Sequence, residues 1–255
     1  MQRLVLTLDT PAENLALDEA LLDAAEAGEI AQGVLRAWEP ADYFVVLGRS
    51  SPVEKEVDLE ACRRDAIAVL RRSSGGGTIV AGPGCLMFAV VLDYAAAPQL
   101  RAVDVAHRFV LGRIAAALAE SALNVARAGI SDLILPGAGS EANSLKFSGN
   151  ALRCKRKHLL YHGTLLYDFD LDRIGRWLGL PHRQPKYRSN RGHTEFVRNI
   201  PLSRTALVET LVRCWNAHTE LNTWPRERVA RLVREKYERG PDWPRHTSLV
   251  RPTGD

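Results

Sequence analysis

The hydrophobic and polar positions of this 255-residue chain follow two periods. Apolar residues recur at helical spacing, every three to four positions, in residues 14–27, 59–65, 104–123, 203–221 and 226–239. Short apolar runs predict strands at residues 34–38, 43–47, 66–70, 86–92, 132–135, 145–152 and 159–166. Strands and helices come in blocks rather than in strict alternation. We therefore predict an α+β fold with a mixed or mostly antiparallel sheet and helices packed on it.

Two connecting segments carry predictions of their own. Glu39-Pro40-Ala41-Asp42 separates the predicted strands at 34–38 and 43–47 and is typical of a hairpin turn. The stretch from Pro181 to Pro201 is basic and polar, shows no clear periodicity and lacks the Gly/Ser content of a linker. A loop of that length in a compact domain is more often functional than a spacer. Because no internal repeat or second folding unit is visible, we expect one domain over residues 1–255.

The composition, with 46% apolar and 25% charged residues, is that of a soluble globular protein. No run approaches the roughly 20 apolar residues of a bilayer span, and the N-terminus lacks the features of a signal peptide. The four cysteines are far apart and form no CxxC pair, which disfavours a disulfide framework or a zinc cluster. We expect a cytoplasmic protein with no membrane partner.

Charge is distributed unevenly along the chain. Residues 1–60 contain 4 Lys/Arg and 13 Asp/Glu, whereas residues 146–204 contain 13 Lys/Arg and 4 Asp/Glu. Such polarity predicts a face that attracts an anionic partner. Nucleic acid is disfavoured because aromatic residues are sparse in the basic region and no known nucleic-acid-binding motif is present. An acidic protein or a phosphate-bearing ligand fits better.

The first candidate for chemistry is the run from Arg71 to Thr78, RRSSGGGT, which follows a predicted strand. Successive glycines reach positive φ at little cost and expose backbone N–H groups to a ligand. Arginines bind phosphate or carboxylate through two parallel hydrogen bonds. The run matches neither a Walker loop nor GxGxxG opening a helix. An anion-binding loop and an ordinary glycine turn with solvated arginines are the two interpretations, and the Arg-Arg-Ser-Ser prefix favours the first.

Three further positions are ambiguous when taken singly. Lys146, in the run LKFSGNA, either pairs with an anionic group at a site or is an edge-strand lysine that blocks aggregation. His162, in YHGTLL, is either a site residue or a satisfied core histidine. Asp132 either caps a turn after Gly129 or holds a ligand hydroxyl or magnesium.

Taken together, the motifs occur in one characteristic order. NLALDEAL at 14–21 and LGR at 47–49 are followed by RRSSGGGT, Ser131-Asp132, KFSGNA and YHGTLL, over residues 14–200. This series resembles the lipoate–protein ligase A and octanoyl/lipoyl transferase family, which is related more distantly to biotin ligases.

The resemblance implies a catalytic domain of the biotin/lipoate ligase type. Its sheet would hold a lipoyl or octanoyl chain. In the ligases, ATP and Mg²⁺ convert the acid to an acyl-adenylate, and the acyl group then passes to a lysine of a lipoyl domain. No permanently bound cofactor is expected. Lys146 would contact the reacting carboxyl and phosphate oxygens without acting as a nucleophile, and Asp132 would lie near the nucleotide and its metal. The implied binding residues are Arg71, Arg72, Ser73, Gly75, Gly76, Gly77, Thr78, Asp132, Ser148, Gly149, Ala151, His162, Gly163, Thr164 and Leu165.

Departures from the family pattern leave the donor open. The His-Asp pair that many ligases carry after the glycines is missing, and Ala81-Gly82-Pro83-Gly84 is closer to the transferase branch, whose histidine is replaced here by Ala81. No C-terminal accessory domain is expected. The chain is therefore either a ligase, with or without a separate accessory subunit, or a transferase that takes its acyl group from an acyl carrier protein. A catalytically silent acyl- or nucleotide-binding protein is a third possibility.

The transferase alternative needs a thiolate in one branch of the family. Cys85, after Gly-Pro-Gly, and Cys154, among four basic residues that would favour a thiolate, are the candidates. Both alternatives share a partner: acidic lipoyl domains, of the 2-oxoacid dehydrogenase E2 or glycine-cleavage H type, would dock on Arg153–Lys157 and on the loop from Lys186 to Arg198. That loop would also cover the adenylate and exclude water.

Overall fold

The computed structural model describes residues 1–140, 143–180 and 184–242. Its strands are β1 Gln2–Val5, β2 Val34–Trp38, β3 Phe44–Leu47, β4 Ala68–Arg71, β5 Ile79–Ala81, β6 Cys85–Asp93, β7 Ala126–Ala128, β8 Asp132–Leu135, β9 Leu145–Cys154, β10 His158–Leu166 and β11 Thr219–Glu220. Its α-helices are α1 Pro11–Glu26, α2 Val53–Glu56, α3 Leu59–Arg64, α4 Val103–Ala119, α5 Asp172–Trp177, α6 His193–Phe196, α7 Arg204–Cys214 and α8 Arg226–Glu235.

The strands of the described residues form two sheets. An eight-stranded sheet has the order β11-β1-β2-β6-β10-β9-β8-β7, and a three-stranded sheet has the order β4-β3-β5. The pairs β11–β1, β1–β2 and β3–β4 are parallel, and the other pairs are antiparallel. The predicted α+β class with a mixed sheet is thus confirmed.

Two hydrophobic cores lie on opposite faces of the large sheet. On one face, α4 and α7 bury their apolar sides against β6, β8, β9 and β10. On the other face, α1 and the three-stranded sheet share a second core with residues of β2 and β6. A large sheet covered on both faces buries both faces of its central strands, which is why β2 and most of β6 are continuous buried runs.

The predicted hairpin between β2 and β3 is wrong. β2 pairs with β1 and β6 in the large sheet, whereas β3 pairs with β4 and β5 in the small one. Residues 39–43 therefore cross from one sheet to the other. The Glu39 carboxylate fixes this crossing, because it accepts hydrogen bonds from the Gly84 N–H (2.8 Å) and the Tyr167 hydroxyl (2.8 Å).

A second short connection joins the sheets at the same end. Residues 82–84, the Gly-Pro-Gly, link β5 of the small sheet to β6 of the large one. A Cβ on Gly82 would lie 2.3 Å from the Tyr43 ring, and one on Gly84, whose φ is +78°, would lie 2.1 Å from the Asp168 backbone. The glycines are thus required by close packing, and the Glu39–Gly84 hydrogen bond ties the two connections to each other.

Helix α1 begins with a capping box. The Thr10 side chain accepts from the Glu13 N–H, the Glu13 carboxylate accepts from the Thr10 N–H, and Pro11 occupies the first turn. The helix buries Asn14, Asp18 and Glu19 as well as its apolar residues. Buried polar groups on a helix require partners, and those partners lie in the site described below.

The later helices differ from the predicted bounds. Helix α7 ends at Cys214 rather than at residue 221, because Asn216 has a φ of +49° and residues 219–220 leave as β11 to pair with β1. Helix α8 is followed by a 3₁₀ turn, Tyr237–Asp242. None of the helices in the described residues combines the length and hydrophobicity needed to cross a bilayer.

Candidate active site

A cavity of about 880 Å³ is lined by both sheets. Its apolar part is lined by side chains of α1, β3, β5, β6, β10 and α5, namely Leu15, Val46, Val80, Met87, Leu166 and Ile174. Its polar part combines the glycines of the 75–77 run with groups of β8, β9 and β10, namely Gly76, Gly77, Asp132, Lys146, His162 and Thr164. An apolar slot beside a cation and glycine N–H groups suits an anionic headgroup on a hydrophobic tail.

Lys146 is directed into the cavity by an irregular pairing of β8 with β9. Leu133 pairs with Ser148, but the next residue, Ile134, pairs with Lys146, so Phe147 is an extra residue in β9. Phe147 is fully buried in the core on the other face of the sheet. A bulge of this kind changes the direction of the neighbouring side chain, which explains how Lys146 reaches the cavity from a strand rich in buried residues.

The ammonium of Lys146 is held by Asp132. The Nζ–Oδ1 distance is 2.8 Å, and the Lys146 side chain keeps 26% of its surface exposed. A Cβ on Gly149 would lie only 3.0 Å from Nζ and 3.1 Å from Cε of Lys146. Glycine at this position therefore gives the lysine room to lie across the strand.

The other oxygen of Asp132 binds the segment that covers the cavity. The Tyr187 hydroxyl donates to Asp132 Oδ2 at 2.7 Å. Burial, followed by the charge and hydrogen bond of Asp132, raises the pKa of Tyr187, so its hydroxyl keeps its proton and acts as a donor. Residues 184–198, called here the covering segment, place several side chains on the cavity, including Pro185, Lys186, Tyr187, Arg188, Phe196 and Val197.

The covering segment is also joined to β9 by its backbone. Val197 forms an isolated parallel bridge with Lys146, and the Arg198 N–H donates to the Lys146 carbonyl at 2.8 Å. The expectation of a loop at 181–201 without periodicity holds only in part, because the segment contains the 3₁₀ turn Lys186–Arg188 and helix α6. Residues 181–183 lie outside the described residues.

Arg72 organises residues 74–78, called here the glycine loop. Its Nη2 donates to the carbonyls of Gly75 (2.6 Å) and Gly77 (2.9 Å), and its Nε donates to Ser74 Oγ (3.0 Å). Because a trans peptide points its C=O and N–H in opposite directions, the N–H groups that follow these carbonyls point away from the guanidinium. Burial lowers the pKa of Arg72 to about 10, so the side chain is still a cation at neutral pH.

Close approach explains two glycines around this loop. A Cβ on Gly48 would lie 1.9 Å from the Gly76 carbonyl oxygen, and Gly76 itself has a φ of +88°. The Gly76 position is also close to β9, since its Cβ would lie 3.7 Å from that of Ala151. The glycine loop and the strand that carries Lys146 therefore meet at the cavity.

His162 lies at the floor of the cavity with both ring nitrogens engaged. Its Nε2 is 2.5 Å from Ser74 Oγ, and its Nδ1 is 3.5 Å from Asp18 Oδ2. Asp18 in turn binds the fully buried Arg36 at 2.5 Å. Burial acts to raise the pKa of Asp18, but the charge of Arg36 and the contact with His162 outweigh it and hold that pKa below its ordinary value.

Comparison with known proteins decides the family. The sequence profile described as "Lipoyl protein ligase A/B catalytic domain" matches residues 10–213. A candidate lipoate-protein ligase A of Aeropyrum pernix is 31% identical over 208 residues, 82% of this chain and 72% of that protein. The chain belongs to the lipoyl protein ligase A/B catalytic-domain family. It is an enzyme of the lipoate–protein ligase type, as its motifs predicted.

A second relative supports the same assignment, and solved structures share the fold. A candidate lipoate-protein ligase A of Mycoplasma genitalium is 31% identical over 184 residues, and the match covers 71% of this chain but 50% of that protein. A chain from the bipartite lipoate protein ligase and E2 lipoyl domain system of Thermoplasma acidophilum superposes with a TM-score of 0.77 at 22% identity, covering 93% of each chain. A lipoate-protein ligase A bound with ATP superposes with a TM-score of 0.72 at 22% identity, over 93% of this chain and 95% of that one. The predicted fold of the biotin/lipoate ligase type is confirmed.

Four residues assigned from the family resemblance are not part of the cavity lining: Arg71, Ser73, Gly75 and Leu165. Arg71 is buried and donates to the carbonyls of Gly48 (2.8 Å) and Pro241 (2.9 Å), so it joins the chain after β3 to the 3₁₀ turn at 237–242. The Ser73 carbonyl accepts from Arg153 at 2.9 Å. Leu165 packs into the core on the opposite face of β10, because side chains of a strand alternate between faces.

The other assigned residues line the cavity as the ligase family resemblance implies. Besides Gly76, Gly77, Asp132, Lys146 and His162, the lining includes Arg72, Thr78, Ser148, Gly149, Ala151, Gly163 and Thr164. Close packing requires glycine at position 163, since a Cβ there would lie 1.9 Å from Asn150 Oδ1. Their roles toward a substrate stay a prediction.

The cysteines proposed for the transferase alternative lie outside the lining. Cys85 is fully buried with its Sγ 3.8 Å from Met87 Sδ, and burial raises its pKa well above the ordinary value. A thiol in that environment is inert rather than nucleophilic. Cys154 is exposed at the end of β9. This placement disfavours both cysteines as the nucleophile at the cavity.

Two groups of site residues were not assigned from sequence. Tyr187 is an isolated aromatic residue in a polar loop, and that contrast was the available signal. Asn14 and Asp18 were part of the quoted N-terminal motif but received no role, because a periodicity argument places α1 in the core without saying which polar residue it carries there.

Among the residues that the structure describes, those of the cavity do not form a resident metal site. Asp132 has both carboxylate oxygens engaged, by Lys146 and Tyr187, and the other acidic residue of the lining, Glu56, is bonded to Thr78. Within the described ranges no group of three or more His, Cys, Asp or Glu side chains is arranged to hold a metal ion. The prediction of a magnesium site at Asp132 therefore gains no support from this arrangement.

Proposed function

We propose that this chain transfers a lipoyl or octanoyl group to a lysine of a lipoyl-domain protein, through an acyl-adenylate formed from the free acid and ATP. The observation that carries the proposal is a single cavity that joins an apolar slot to Lys146 and the glycine loop. In each relative described above, the name is that of a lipoate ligase or its system, and one is described as bound with ATP.

The chemistry has two steps. The acid's carboxylate oxygen attacks the α-phosphorus of ATP, and pyrophosphate leaves. The amine of the acceptor lysine then attacks the acyl carbon, AMP leaves, and the amine loses a proton to solvent. Both steps build negative charge on oxygens, so an ammonium held in place beforehand stabilises the transition states without forming a covalent bond. Lys146 has that role, and Mg²⁺ enters with the nucleotide as part of the substrate.

The covering segment contributes in two ways. Its side chains Tyr187 and Phe196 lie over the cavity, where they would limit water access to the adenylate. Lys186 and Arg198 are exposed on the same segment and supply positive charge for an acidic lipoyl domain. The hairpin 153–157 is less suited to docking, because Lys155 is paired with Asp23 at 2.6 Å and Arg153 binds the Ser73 carbonyl.

The described residues would act as one catalytic domain. Since the Thermoplasma system that superposes on this chain is described as bipartite, a separate accessory subunit is a natural partner for efficient adenylation. A carrier-dependent transfer without adenylation is the second candidate. The Gly-Pro-Gly after β5 and the missing His-Asp pair favour it, whereas the position of both candidate cysteines disfavours it.

The deciding experiment is intact-mass analysis of an apo lipoyl domain incubated with this protein. We expect a lipoyl mass increment with free lipoate and ATP, and none with octanoyl carrier protein alone. Modification only from the carrier would establish the transferase, and adenylate binding without modification of several acceptors would establish a silent binding protein.

Replacing the cavity cation tests the mechanism. We expect Lys146→Ala to abolish transfer in the same assay while circular dichroism stays unchanged, because the Lys146 side chain is partly exposed. Lys155→Ala removes a lysine paired with an aspartate outside the cavity and is the matched control, with normal transfer. Near-normal transfer by Lys146→Ala would contradict the role given to this lysine.

A further inference from the structure

A row of buried polar side chains leads from α1 to the glycine loop and takes no part in the chemistry above. Arg36 Nη1 donates to Asp18 Oδ1 (2.5 Å), Asp18 Oδ2 faces His162 Nδ1 (3.5 Å), and His162 Nε2 meets Ser74 Oγ (2.5 Å). Each of these four residues is at most 9% exposed. Burying so many polar groups is costly unless each has a partner, so the row needs a reason.

The remote end of the row is rigid. Arg36 is fully buried and also donates to the Asn14 carbonyl (2.7 Å), to Asn14 Oδ1 (2.6 Å) and to the Leu6 carbonyl (3.1 Å). Asn14 in turn donates to the carbonyls of Leu8 and Thr10 at the start of α1. Asp18 is thus held in one place by the helix and by the fixed guanidinium.

One set of hydrogen-bond directions satisfies every member of the row. Ser74 Oγ accepts from Arg72 Nε (3.0 Å), so its own proton is free to be donated to His162 Nε2. Nε2 is then the acceptor nitrogen, and the ring proton lies on Nδ1, toward the Asp18 carboxylate. Because both nitrogens are engaged, His162 has none left for proton transfer with a substrate. The series Ser74, His162 and Asp18 has the residue types of a catalytic triad. Ser74 is nevertheless not a nucleophile, because it is 1% exposed and lies outside the cavity lining.

We propose that this row positions the glycine loop, with His162 as the positioning residue that fixes Ser74 and, through Ser74, the Arg72 guanidinium that binds the Gly75 and Gly77 carbonyls. The loop would then hold its N–H groups ready for the anionic part of the ligand before binding. The expected effect on adenylate binding rests on the proposed function, whereas the expected ordering of the loop does not.

The variants are chosen to cut the row at defined bonds. Ser74→Ala removes the last link. His162→Gln places an amide near the former Nε2 and keeps a partner for Ser74, whereas His162→Asn places it near Nδ1 and keeps only the Asp18 side. His107→Gln is the matched control: His107 is equally buried and bonds the Tyr161 hydroxyl (2.9 Å), but on α4, against the opposite face of the large sheet.

The first readout is independent of activity. We expect amide exchange of residues 75–78 to speed up about tenfold in Ser74→Ala and His162→Asn, because the loop loses a hydrogen bond that orders it. His162→Gln and His107→Gln should leave it unchanged. In the wild type, ¹⁵N–¹H spectra of the histidine ring should show His162 protonated on Nδ1. Protonation on Nε2, or unchanged exchange in Ser74→Ala, would overturn the proposal.

The second readout separates positioning from general damage. We expect the affinity for a non-hydrolysable acyl-sulfamoyl adenosine to fall about tenfold in Ser74→Ala and His162→Asn, while the affinity for lipoate alone is unchanged. Equal losses for both ligands would reduce the row to a general stabilising element. If the wild type binds no adenylate analogue, the proposed function fails, and the exchange measurement still decides the positioning proposal.

Discussion

At the scale of single residues, the cation of the cavity is held by a carboxylate before any substrate arrives. Asp132 binds Lys146 with one oxygen and Tyr187 with the other. Under the proposed function, a substrate carboxylate or phosphate would compete with Asp132 for the ammonium. Such competition favours a ligand with several anionic oxygens, as the triphosphate of ATP has, over a ligand with a single charge.

Gly149→Ala tests the room left for this lysine. The added Cβ would lie 3.0 Å from Lys146 Nζ and push the flexible side chain away from Asp132. We expect turnover to fall by about tenfold with little change in the free energy of unfolding. Gly112→Ala on α4, where a Cβ meets nothing within 4 Å, is the control and should leave turnover unchanged. Wild-type turnover in Gly149→Ala would show that activity does not depend on the present conformation of the Lys146 side chain.

Asp18 gives a prediction about stability. Removing one partner of a buried ion pair leaves the other charge unpaired, so Asp18→Asn should lower the free energy of unfolding by about 3–5 kcal/mol at neutral pH. The folded pKa of Asp18 lies below its ordinary value of 3.8, so this contribution is present above that value and is lost as the pH falls through the folded pKa. Urea unfolding from pH 7 down to pH 3 should show the gap between wild type and variant shrinking. A constant gap would contradict the assignment.

At the scale of elements, the covering segment depends on one side chain for its contact with the reacting groups. Tyr187 donates to Asp132, and its ring packs against Phe196 with centroids 5.2 Å apart. The backbone bridge at Val197 fixes only the far end of the segment. Besides the backbone bonds to Lys146, the Tyr187 hydroxyl is therefore the side-chain attachment of the segment, through the carboxylate that holds this lysine.

Tyr187→Phe should loosen that attachment. We expect more AMP released per lipoylated acceptor, because water reaches the adenylate more often when the segment is less firmly held. Tyr167→Phe is the matched control: it also removes a hydroxyl bonded to a carboxylate, that of Glu39, but outside the cavity lining. An unchanged AMP-to-product ratio in Tyr187→Phe would show that the segment does not exclude water.

Elements were predictable where the sequence pattern alone determines them. The strands that became β8, β9 and β10 and the long helix α4 lie within a few residues of their predicted bounds, because their apolar spacing is unambiguous. The connection between β2 and β3 was not predictable, since a turn sequence says where the chain bends but not whether the next strand joins the same sheet. The Glu39 hydrogen bonds that settle this come from residues 45 and 128 positions away.

At the scale of the whole molecule, the uneven charge of the sequence is partly neutralised inside the fold. The acidic N-terminal part binds the basic later part through Asp23–Lys155 (2.6 Å), Glu26–His158 (3.4 Å) and Glu39–Arg204 (3.0 Å). A charge count along the chain cannot distinguish such internal pairs from a docking face. The glycine run was singled out from its unusual residue types, and the order of the motifs added Lys146 and His162 to it. The contacts of His162 with Ser74 and Asp18 were not predictable, because serine and aspartate at these positions are ordinary until the fold brings them together.

The last described residues are attached to the first helix. Lys236 and Tyr237 both bind the Glu19 carboxylate, at 2.5 and 2.7 Å, and Tyr237 is 1% exposed. We expect Tyr237→Ala to cost about 3–5 kcal/mol of unfolding free energy, as for other large aromatic side chains removed from a core, measured by urea denaturation. Tyr94→Ala, at 3% exposed in a separate small cluster, is a control for aromatic removal that should leave α1 packing intact. A loss below about 1 kcal/mol for Tyr237→Ala would show that the contact of Tyr237 with α1 contributes little to stability.

The two short links between the sheets have a consequence for how the protein melts. Residues 39–43 and 82–84 join the layers at one end and are bonded to each other. The three-stranded sheet shares its hydrophobic core with α1 and with strands of the large sheet, so the layers should lose structure in one cooperative transition. A ligand lodged between them would then protect the entire described fold, and a simple thermal-shift screen of acids and nucleotides would report occupancy of the cavity.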